Sequence, residues 1–342
     1  MLDVMNDTSG IDRPPRGIRL LAPLQRDPDW GSMSPEDLAA YSSTANRKAS
    51  SRLLRVITGF PDRGATIGWQ EVTLADRTLR VRVYRPRRDG GAALPLVVHV
   101  HGGGFAGTAP QSDWANSHFA ARLPAVVVSV EHRLLAPGIS LRAVADDCWD
   151  VLRNVVEHAT EWGIDPARVA VAGESTGALV SALAAIRAGS SGLELRAQVL
   201  VNPVTDLTEA MFDYPSMTHY ADSAMLSIPK LRLFQRLAVP PGTDPRPLSP
   251  LHAATLSDLA PALVVVPTVD PVADHGRRYA ERLRESGTPA VLSEHRGATH
   301  AFLATPGVVP QAAVARARIT EFLRARLAAS RSVDAGGTAR RG

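Results

Sequence analysis

The chain has 342 residues, of which 45% are hydrophobic and 21% are charged, and it contains a single cysteine. This composition is typical of a globular protein, and one cysteine excludes a fold that depends on internal disulfides. The net charge of +4 comes from scattered arginines with only two lysines, so we expect no nucleic-acid-binding face. No apolar run approaches the roughly 20 residues that span a bilayer, and the first thirty residues lack a signal-like apolar stretch. We therefore expect a cytoplasmic protein without a membrane span.

The sequence predicts a helix first, then a pair of strands, and then strands that alternate with helices. Ser34 followed by Pro35 and acidic residues predicts the start of a helix ahead of the sheet. The segments 67–76 and 78–86 alternate in polarity, which predicts an antiparallel pair of strands. Short Val-rich strands then alternate with helical stretches, at 95–101, 125–130, 168–172, 197–201 and 262–267. This rhythm predicts an α/β fold with a mainly parallel sheet and helices on both faces.

The strand and helix rhythm stops between about 205 and 255, where methionines and aromatic residues accumulate. We interpret this stretch as a cap insertion in a core of residues 61–325, with residues 1–60 as an N-terminal segment with further cap helices. Residues 326–342 have no apolar periodicity, which predicts a disordered tail. Apolar side chains of the insertion either wall an adaptable cavity or only pack the cap onto the core: Met211, Phe212, Tyr214, Met217, Tyr220, Met225, Leu226 and Phe234.

Residues 169–180 read VAVAGESTGALV, which is a strand, a G-x-S-x-G turn and the start of a helix. This pattern is typical of a tight turn that projects a nucleophilic serine, here Ser175, above a sheet. The alternative is an ordinary turn in which Ser175 caps the helix that follows. A nucleophilic serine needs a base and an acid elsewhere in the chain, whereas a helix-capping serine does not.

Residues 99–108 read HVHGGGFAGT and follow a predicted strand. Successive glycines let backbone N–H groups approach a ligand, as an oxyanion hole requires. The competing interpretation is a dinucleotide fingerprint formed by Gly102, Gly104 and Gly107, with Glu131 ending the next strand. Pro110 opposes it, because the third glycine of that fingerprint should lie at the start of a helix.

Asp270 and His300 follow two further predicted strands downstream of the serine. The order Ser, Asp, His is that of α/β-hydrolases, and all three residues fall at the carboxyl ends of strands. We predict Ser175 as nucleophile, His300 as base and Asp270 as the residue that orients His300.

The N–H groups that would hold the oxyanion belong to Gly103, Gly104 and Thr176, the last because it follows the nucleophile. His99 and His101 could begin a zinc site, but no third ligand with its own spacing is visible, so no metal is predicted.

These motifs together resemble the hormone-sensitive-lipase-like family of α/β-hydrolases, which includes bacterial esterases and arylacetamide deacetylases. The resemblance covers roughly residues 60–325 through HGGGF, GESTG, SPLHAATLSDLAPALVVVPTVDPVADHG and ATHAFL. It implies an eight-stranded sheet with a helical cap and a serine carboxylesterase that needs no cofactor. The chain departs from the family's usual pattern at EHRLLAPGIS, where His132 replaces a tyrosine and Gly138 replaces an acid, and at Ala301, where glycine is usual.

The leading hypothesis is hydrolysis of short-to-medium acyl esters of small molecules through an acyl-enzyme. Because the departures concern the substrate pocket, a biosynthetic dehydratase, decarboxylase or acyl transferase of the same fold is the alternative, and an NAD-dependent oxidoreductase is a weaker one. A non-catalytic binder resembling the plant gibberellin receptor is disfavoured, because that class lacks the histidine present here as His300. The sequence leaves a homodimer open.

Overall fold

A computed structural model describes residues 12–24, 27–49, 51–88 and 90–329. Eight strands form one sheet: β1 Ala65–Thr73, β2 Thr78–Pro86, β3 Leu94–Val100, β4 Val126–Val130, β5 Ile164–Glu174, β6 Ala197–Val201, β7 Ala262–Val269 and β8 Ala290–Thr299. Their order is β1-β2-β4-β3-β5-β6-β7-β8. β2 pairs antiparallel with β1 and β4, and the remaining neighbours are parallel. The predicted α/β fold with a mainly parallel sheet and an antiparallel start is confirmed.

Helices cover both faces of this sheet because its central strands are apolar on both sides. In β3, Leu96 and Val98 face one cluster of buried residues and Val97 faces another. The α-helices of the described ranges are α1 Arg16–Leu21, α2 Pro35–Ala49, α3 Arg55–Thr58, α4 Asp113–Arg122, α5 Leu141–Glu157, α6 Ala159–Trp162, α7 Thr176–Ser191, α8 Pro215–His219, α9 Ile228–Ala238, α10 Ala273–Glu285 and α11 Gln311–Leu327. α4 and α11 pack on one face, and α5, α7 and α10 pack on the other. None of these helices has both the length and the apolar character needed to cross a bilayer.

The predicted start of α2 is confirmed by its capping contacts. Asp37 N donates to Ser34 Oγ at 3.1 Å, and Ser34 Oγ donates to Asp37 Oδ2 at 2.8 Å. This reciprocal cap satisfies a backbone N–H that the helix leaves without a partner. It fixes the position at which α2 leaves the preceding loop.

The stretch that the sequence assigns to a cap insertion joins β6 to β7. It holds α8, α9 and the 3-10 helices Glu209–Asp213, Arg246–Leu248 and Pro250–His252. The division into core, cap and tail stays a prediction. Of the predicted tail, residues 330–342 lie outside the described residues, as do residues 1–11 of the N-terminal segment.

His275, on α10, anchors the chain where it enters this insertion. The buried ring accepts hydrogen bonds at Nδ1 from the N–H groups of Thr205, at 3.1 Å, and Asp206, at 3.3 Å. Nδ1 is therefore unprotonated, and a neutral ring carries its proton on Nε2. Burial lowers the pKa of His275 to about 4, although Asp206 and Asp274 act in the opposite direction.

We expect the free energy of unfolding to fall as the pH drops from about 6.5 to about 4. In this window the unfolded chain protonates His275 and the folded protein does not, so acid favours unfolding, by up to about 3 kcal/mol from this group. Asn at position 275 keeps an acceptor but does not titrate. Urea unfolding at pH 7.5 and 4.5 should therefore show a smaller acid loss for His275→Asn than for the wild type. An identical acid loss in both proteins would contradict this assignment.

Candidate active site

Ser175 lies on a strained turn between β5 and α7. Its φ of 54° and ψ of −116° are rare for a residue with a side chain. Its N–H donates to Val201 O of the neighbouring strand at 2.9 Å. Gly177 is required here, because a Cβ at that position would lie 2.1 Å from Val100 O. Ser175 Oγ makes no capping hydrogen bond to α7, so the simple N-cap interpretation does not describe this serine.

The hydroxyl of Ser175 is instead hydrogen-bonded to a histidine. His300 Nε2 lies 2.8 Å from Ser175 Oγ, and His300 Nδ1 lies 2.8 Å from Asp270 Oδ2. Asp270 follows β7 and His300 follows β8, so the carboxyl edge of the sheet brings all three together. Asp270 is fully buried, and its other oxygen accepts the N–H of Val272 at 3.0 Å. The arrangement favours the tautomer in which Nδ1–H donates to Asp270 and Nε2 accepts the serine proton.

The glycine loop, residues 102–107, lies beside Ser175 and lines the same cavity. Gly103 has a φ of +92°, and a Cβ there would lie 1.7 Å from Ala106 O, so the loop cannot take this shape with any other residue at that position. Thr176 is the first residue of α7, where N–H groups are not used within the helix. The predicted donors Gly103, Gly104 and Thr176 therefore line one cavity together with Ser175.

Contacts from four parts of the chain hold the glycine loop. Asn46 of α2 accepts the N–H of Gly107 at 2.8 Å, and Gln111 Nε2 donates to Gly102 O at 3.0 Å. Leu135 N donates to Gly104 O at 2.7 Å. Glu131 accepts the N–H of Ala109, just past the loop, at 2.8 Å. In a dinucleotide fingerprint this acid would bind a ribose, whereas here its carboxylate fixes the backbone.

His101 and His132 form a stacked pair beneath the glycine loop, with ring centroids 4.0 Å apart and planes 15° apart. His101 Nδ1 lies 2.9 Å from Gly102 O, and His132 Nδ1 lies 2.8 Å from Arg133 O. Burial lowers the pKa of both rings, and His132 lowers that of His101 further, so both are neutral. His132 thus packs its ring against that of His101, which contacts the backbone of the glycine loop at Gly102.

His99 and His101, the two candidate zinc ligands of the sequence, make other contacts. His99 Nδ1 is 3.0 Å from Ser129 Oγ, and its Nε2 is 3.8 Å from Glu174. Across the described ranges, no three His, Cys, Asp or Glu side chains gather as metal ligands would. His101, as described above, supports the glycine loop.

Ser175 and His300 open into a cavity of about 250 Å³. Which residues of the predicted cap line this cavity could not be predicted from the sequence. Of those considered, Met225, Leu226 and Phe234 line the cavity, whereas Met211 and Met217 are buried in the core. The other cavity residues on the cap side and on α2 are Leu231, Lys230, Tyr41, Ala45, Asn46 and Ala49.

Several polar residues of the cavity were not predicted from the sequence, and two of them, Asn202 and Lys230, lie close to the reacting groups or carry a charge. Asn202 follows β6 with a φ of 38°, and its Nδ2 lies 3.5 Å from His300 Nε2. The only signal for it was an asparagine at a strand end, where a left-handed backbone is tolerated. Lys230 was noted only as one of two lysines in the chain.

Comparison with known proteins identifies the family of the chain. Residues 97–304 match the model of a family with the alpha/beta hydrolase fold. The chain is 38% identical over 265 residues to the carboxylesterase NlhH of Mycobacterium tuberculosis, covering 74% of this chain and 79% of that one. It is 34% identical over 283 residues to an ethyl acetate hydrolase of Pseudomonas putida, covering 80% and 86%. The chain belongs to the hormone-sensitive-lipase-like family of α/β-hydrolases.

Solved structures of esterases share the fold. A hyperthermophilic esterase from the archaeon Pyrobaculum calidifontis superposes with a TM-score of 0.80 at 28% identity, covering 91% of this chain and 97% of that one. A thermostable esterase from Pseudomonas putida ECU1011 gives 0.81 at 24% identity, covering 94% and 100%, which shows the fold alone.

Proposed function

We propose that this serine ester hydrolase cleaves short-to-medium acyl esters with Ser175, His300 and Asp270 as its catalytic triad. Ser175 Oγ attacks the ester carbonyl while His300 Nε2 takes its proton. Asp270 holds the imidazole in the correct tautomer and stabilises the imidazolium. The alcohol leaves with the proton from His300, and an acyl-enzyme remains on Ser175. Water, deprotonated by the same histidine, then releases the acid and restores the serine.

The observation that carries this proposal is the chain of two 2.8 Å hydrogen bonds from Ser175 through His300 to Asp270. A serine hydroxyl is a weak nucleophile without an adjacent base, and this geometry supplies one. The base is itself oriented by a buried carboxylate. The positions at the carboxyl edge of the sheet, beside an apolar cavity, are those at which such sheets bind ligands.

The same proposal assigns charge stabilisation to the backbone. The tetrahedral intermediate carries a negative oxygen, which the N–H groups of Gly103, Gly104 and Thr176 would receive. Hydrogen bonds from other parts of the chain hold the glycine loop, and Thr176 is held at the start of α7. Stabilisation by rigid donors needs no reorganisation at the moment of reaction, which is why such loops accelerate acyl transfer.

A second candidate function is a dehydratase, decarboxylase or acyl transferase that uses the same serine and histidine on one dedicated metabolite. The departure at His132 and the stretch after it favours it, because these residues flank the glycine loop. Under this alternative, generic esters react negligibly although an organophosphate still labels Ser175. Measuring both quantities on one preparation separates the two functions.

The residues on the cap side of the cavity should determine which acyl chain lengths the enzyme prefers. We expect kcat/KM for p-nitrophenyl esters to rise from acetyl to roughly butyryl or hexanoyl chains and then fall, because each buried methylene contributes about 0.8 kcal/mol until the cavity is full. Phe234 lines the cavity against Gly104, so Phe234→Ala should move the optimum to longer chains. A series of p-nitrophenyl esters measures this profile.

Met217 provides the matched control for this series. It is 2% exposed and belongs to the core cluster, away from the cavity lining. Met217→Ala should therefore lower the free energy of unfolding by about 2–5 kcal/mol and leave the chain-length optimum in place. A flat profile in the wild type, or the same shift in both variants, would refute a cap that selects chain length.

A further inference from the structure

Lys230 places a positive charge in the wall of the active-site cavity. It lies on α9 one turn before Phe234, so the two side chains share one face of the helix. Both line the cavity together with Ser175 and His300. Phe234 lies against the glycine loop, since a Cβ on Gly104 would be 2.7 Å from its ring. Lys230 and Phe234 are therefore one helical turn apart, or roughly 5–6 Å along the surface of α9.

The ammonium group of Lys230 is held by an aromatic ring and lacks a close carboxylate. It lies 5.3 Å from the centroid of Trp30, which in turn packs edge-on against Tyr41 at 5.0 Å. In the part of the chain that the structure describes, no Asp or Glu oxygen pairs with Lys230 within 4.0 Å. Asp27 attracts it from a greater distance, with one carboxylate oxygen 3.3 Å from Ser227 Oγ. Burial lowers the pKa of Lys230, as expected for a cation with little compensation.

The carboxylate and the histidine of the cavity wall already have partners. Glu174 accepts a hydrogen bond from Ser112 Oγ at 3.2 Å and lies 3.8 Å from His99, so its carboxylate turns toward the core. His300 is bonded to Ser175 and Asp270. Among the described lining residues, Lys230 is thus the cation that can meet a ligand. Burying a charge in an apolar wall is unfavourable unless an opposite charge joins it there.

We propose that Lys230 makes this enzyme selective for esters that carry a carboxylate on their acyl or alcohol part. The ammonium would donate a hydrogen bond to that carboxylate while the ester carbonyl lies at Ser175. This inference rests on the proposed function of the Ser175 site and adds the charge of its substrate. A lysine suits this role because it presents a compact charge on a flexible stem.

Two matched pairs of esters test the proposal and locate the carboxylate. On the acyl side, mono-(p-nitrophenyl) glutarate is compared with p-nitrophenyl pentanoate, which has the same chain length. On the alcohol side, 4-carboxyphenyl butanoate is compared with 4-methylphenyl butanoate. Lys230→Met should lower the ratio of kcat/KM, charged over neutral, by roughly 10- to 100-fold in at least one pair, as expected for a hydrogen bond between charged groups. Lys230→Arg should keep most of that ratio.

Lys48→Met is the control, because Lys48 is exposed on α2 and is the only other lysine of the sequence. It should leave the ratio in both pairs unchanged. Ratios that stay within about twofold of the wild type in Lys230→Met, for both pairs, would overturn the role of Lys230 while leaving the esterase proposal intact. A purely structural lysine would lower both esters of a pair equally, which also counts against the proposal.

A binding measurement keeps the test independent of turnover. In the Ser175→Ala background, calorimetry with mono-(p-nitrophenyl) glutarate and 4-carboxyphenyl butanoate gives Kd with and without Lys230→Met. A rise of roughly tenfold or more in Kd for either ester supports the proposal even if no ester is hydrolysed, in which case only the proposed function fails. If Ser175→Ala and the double variant Ser175→Ala, Lys230→Met bind both esters with equal Kd values, the proposed role of Lys230 is overturned.

Discussion

Ser175→Ala is expected to lower kcat for p-nitrophenyl butanoate by about 10⁴-fold or more, as in other serine triads. The substitution removes the nucleophile and leaves His300 without its serine partner. His300→Ala should cost about as much, and the double variant little more, because residues that act as one unit are not additive. Asp270→Asn should lose about 10⁴-fold, since the amide favours the wrong histidine tautomer. Steady-state kinetics on purified variants measure these losses.

Ser190→Ala is the matched control for the nucleophile. Ser190 lies at the other end of α7, the helix that follows Ser175, and it is exposed with its hydroxyl donating to Arg187 O at 2.9 Å. This variant should keep wild-type kcat. Thermal unfolding of both variants shows whether any loss comes from the fold. Wild-type turnover in Ser175→Ala would end the triad assignment.

Gly103→Ala is expected to lower kcat by roughly 10²- to 10³-fold, which is the loss seen when one oxyanion donor is removed. The new Cβ would lie 1.7 Å from Ala106 O and would occupy a φ of +92°, so the glycine loop must move. Movement turns the N–H groups of Gly103 and Gly104 away from the position of the oxyanion. KM should change less than kcat, because the lost interaction forms mainly in the transition state.

Gly68→Ala is the control that separates a general effect of replacing glycine by alanine from a displacement of the glycine loop. Gly68 lies in β1, and a Cβ there would meet nothing within 4 Å. Its kcat should equal that of the wild type. Gly103→Ala should also lose stability, by about 1 kcal/mol or somewhat more. If Gly103→Ala melts and hydrolyses esters as the wild type does, the oxyanion donors are misassigned.

The sequence predicted those features whose residues have strict local requirements. The G-x-S-x-G turn is an example, because Gly177 must pass close to Val100 O and no other residue fits. The Val-rich strands were equally clear, since burial on both faces requires apolar residues throughout. Asp270 and His300 followed from their positions after strands, because the carboxyl edge of a parallel sheet brings such residues together.

Features that depend on tertiary packing could not be predicted in the same way. Asn46 holds Gly107 from a helix 61 positions earlier in the chain, and nothing in the local sequence marks it. His132 appeared only as a departure from a motif, whereas the structure shows it stacked on His101. In the cap, α8 is only five residues long, too short for an apolar period to show that Met217 faces the core.

In the proposed mechanism, Ser175 carries the acyl group during turnover. The most direct measurement is mass spectrometry of the protein quenched within its first turnovers on p-nitrophenyl butanoate, followed by peptide mapping. We expect one added butanoyl group, located on Ser175 and absent from Ser175→Ala. A burst of p-nitrophenol with no acyl group on Ser175, or an acyl group on another residue, would contradict it.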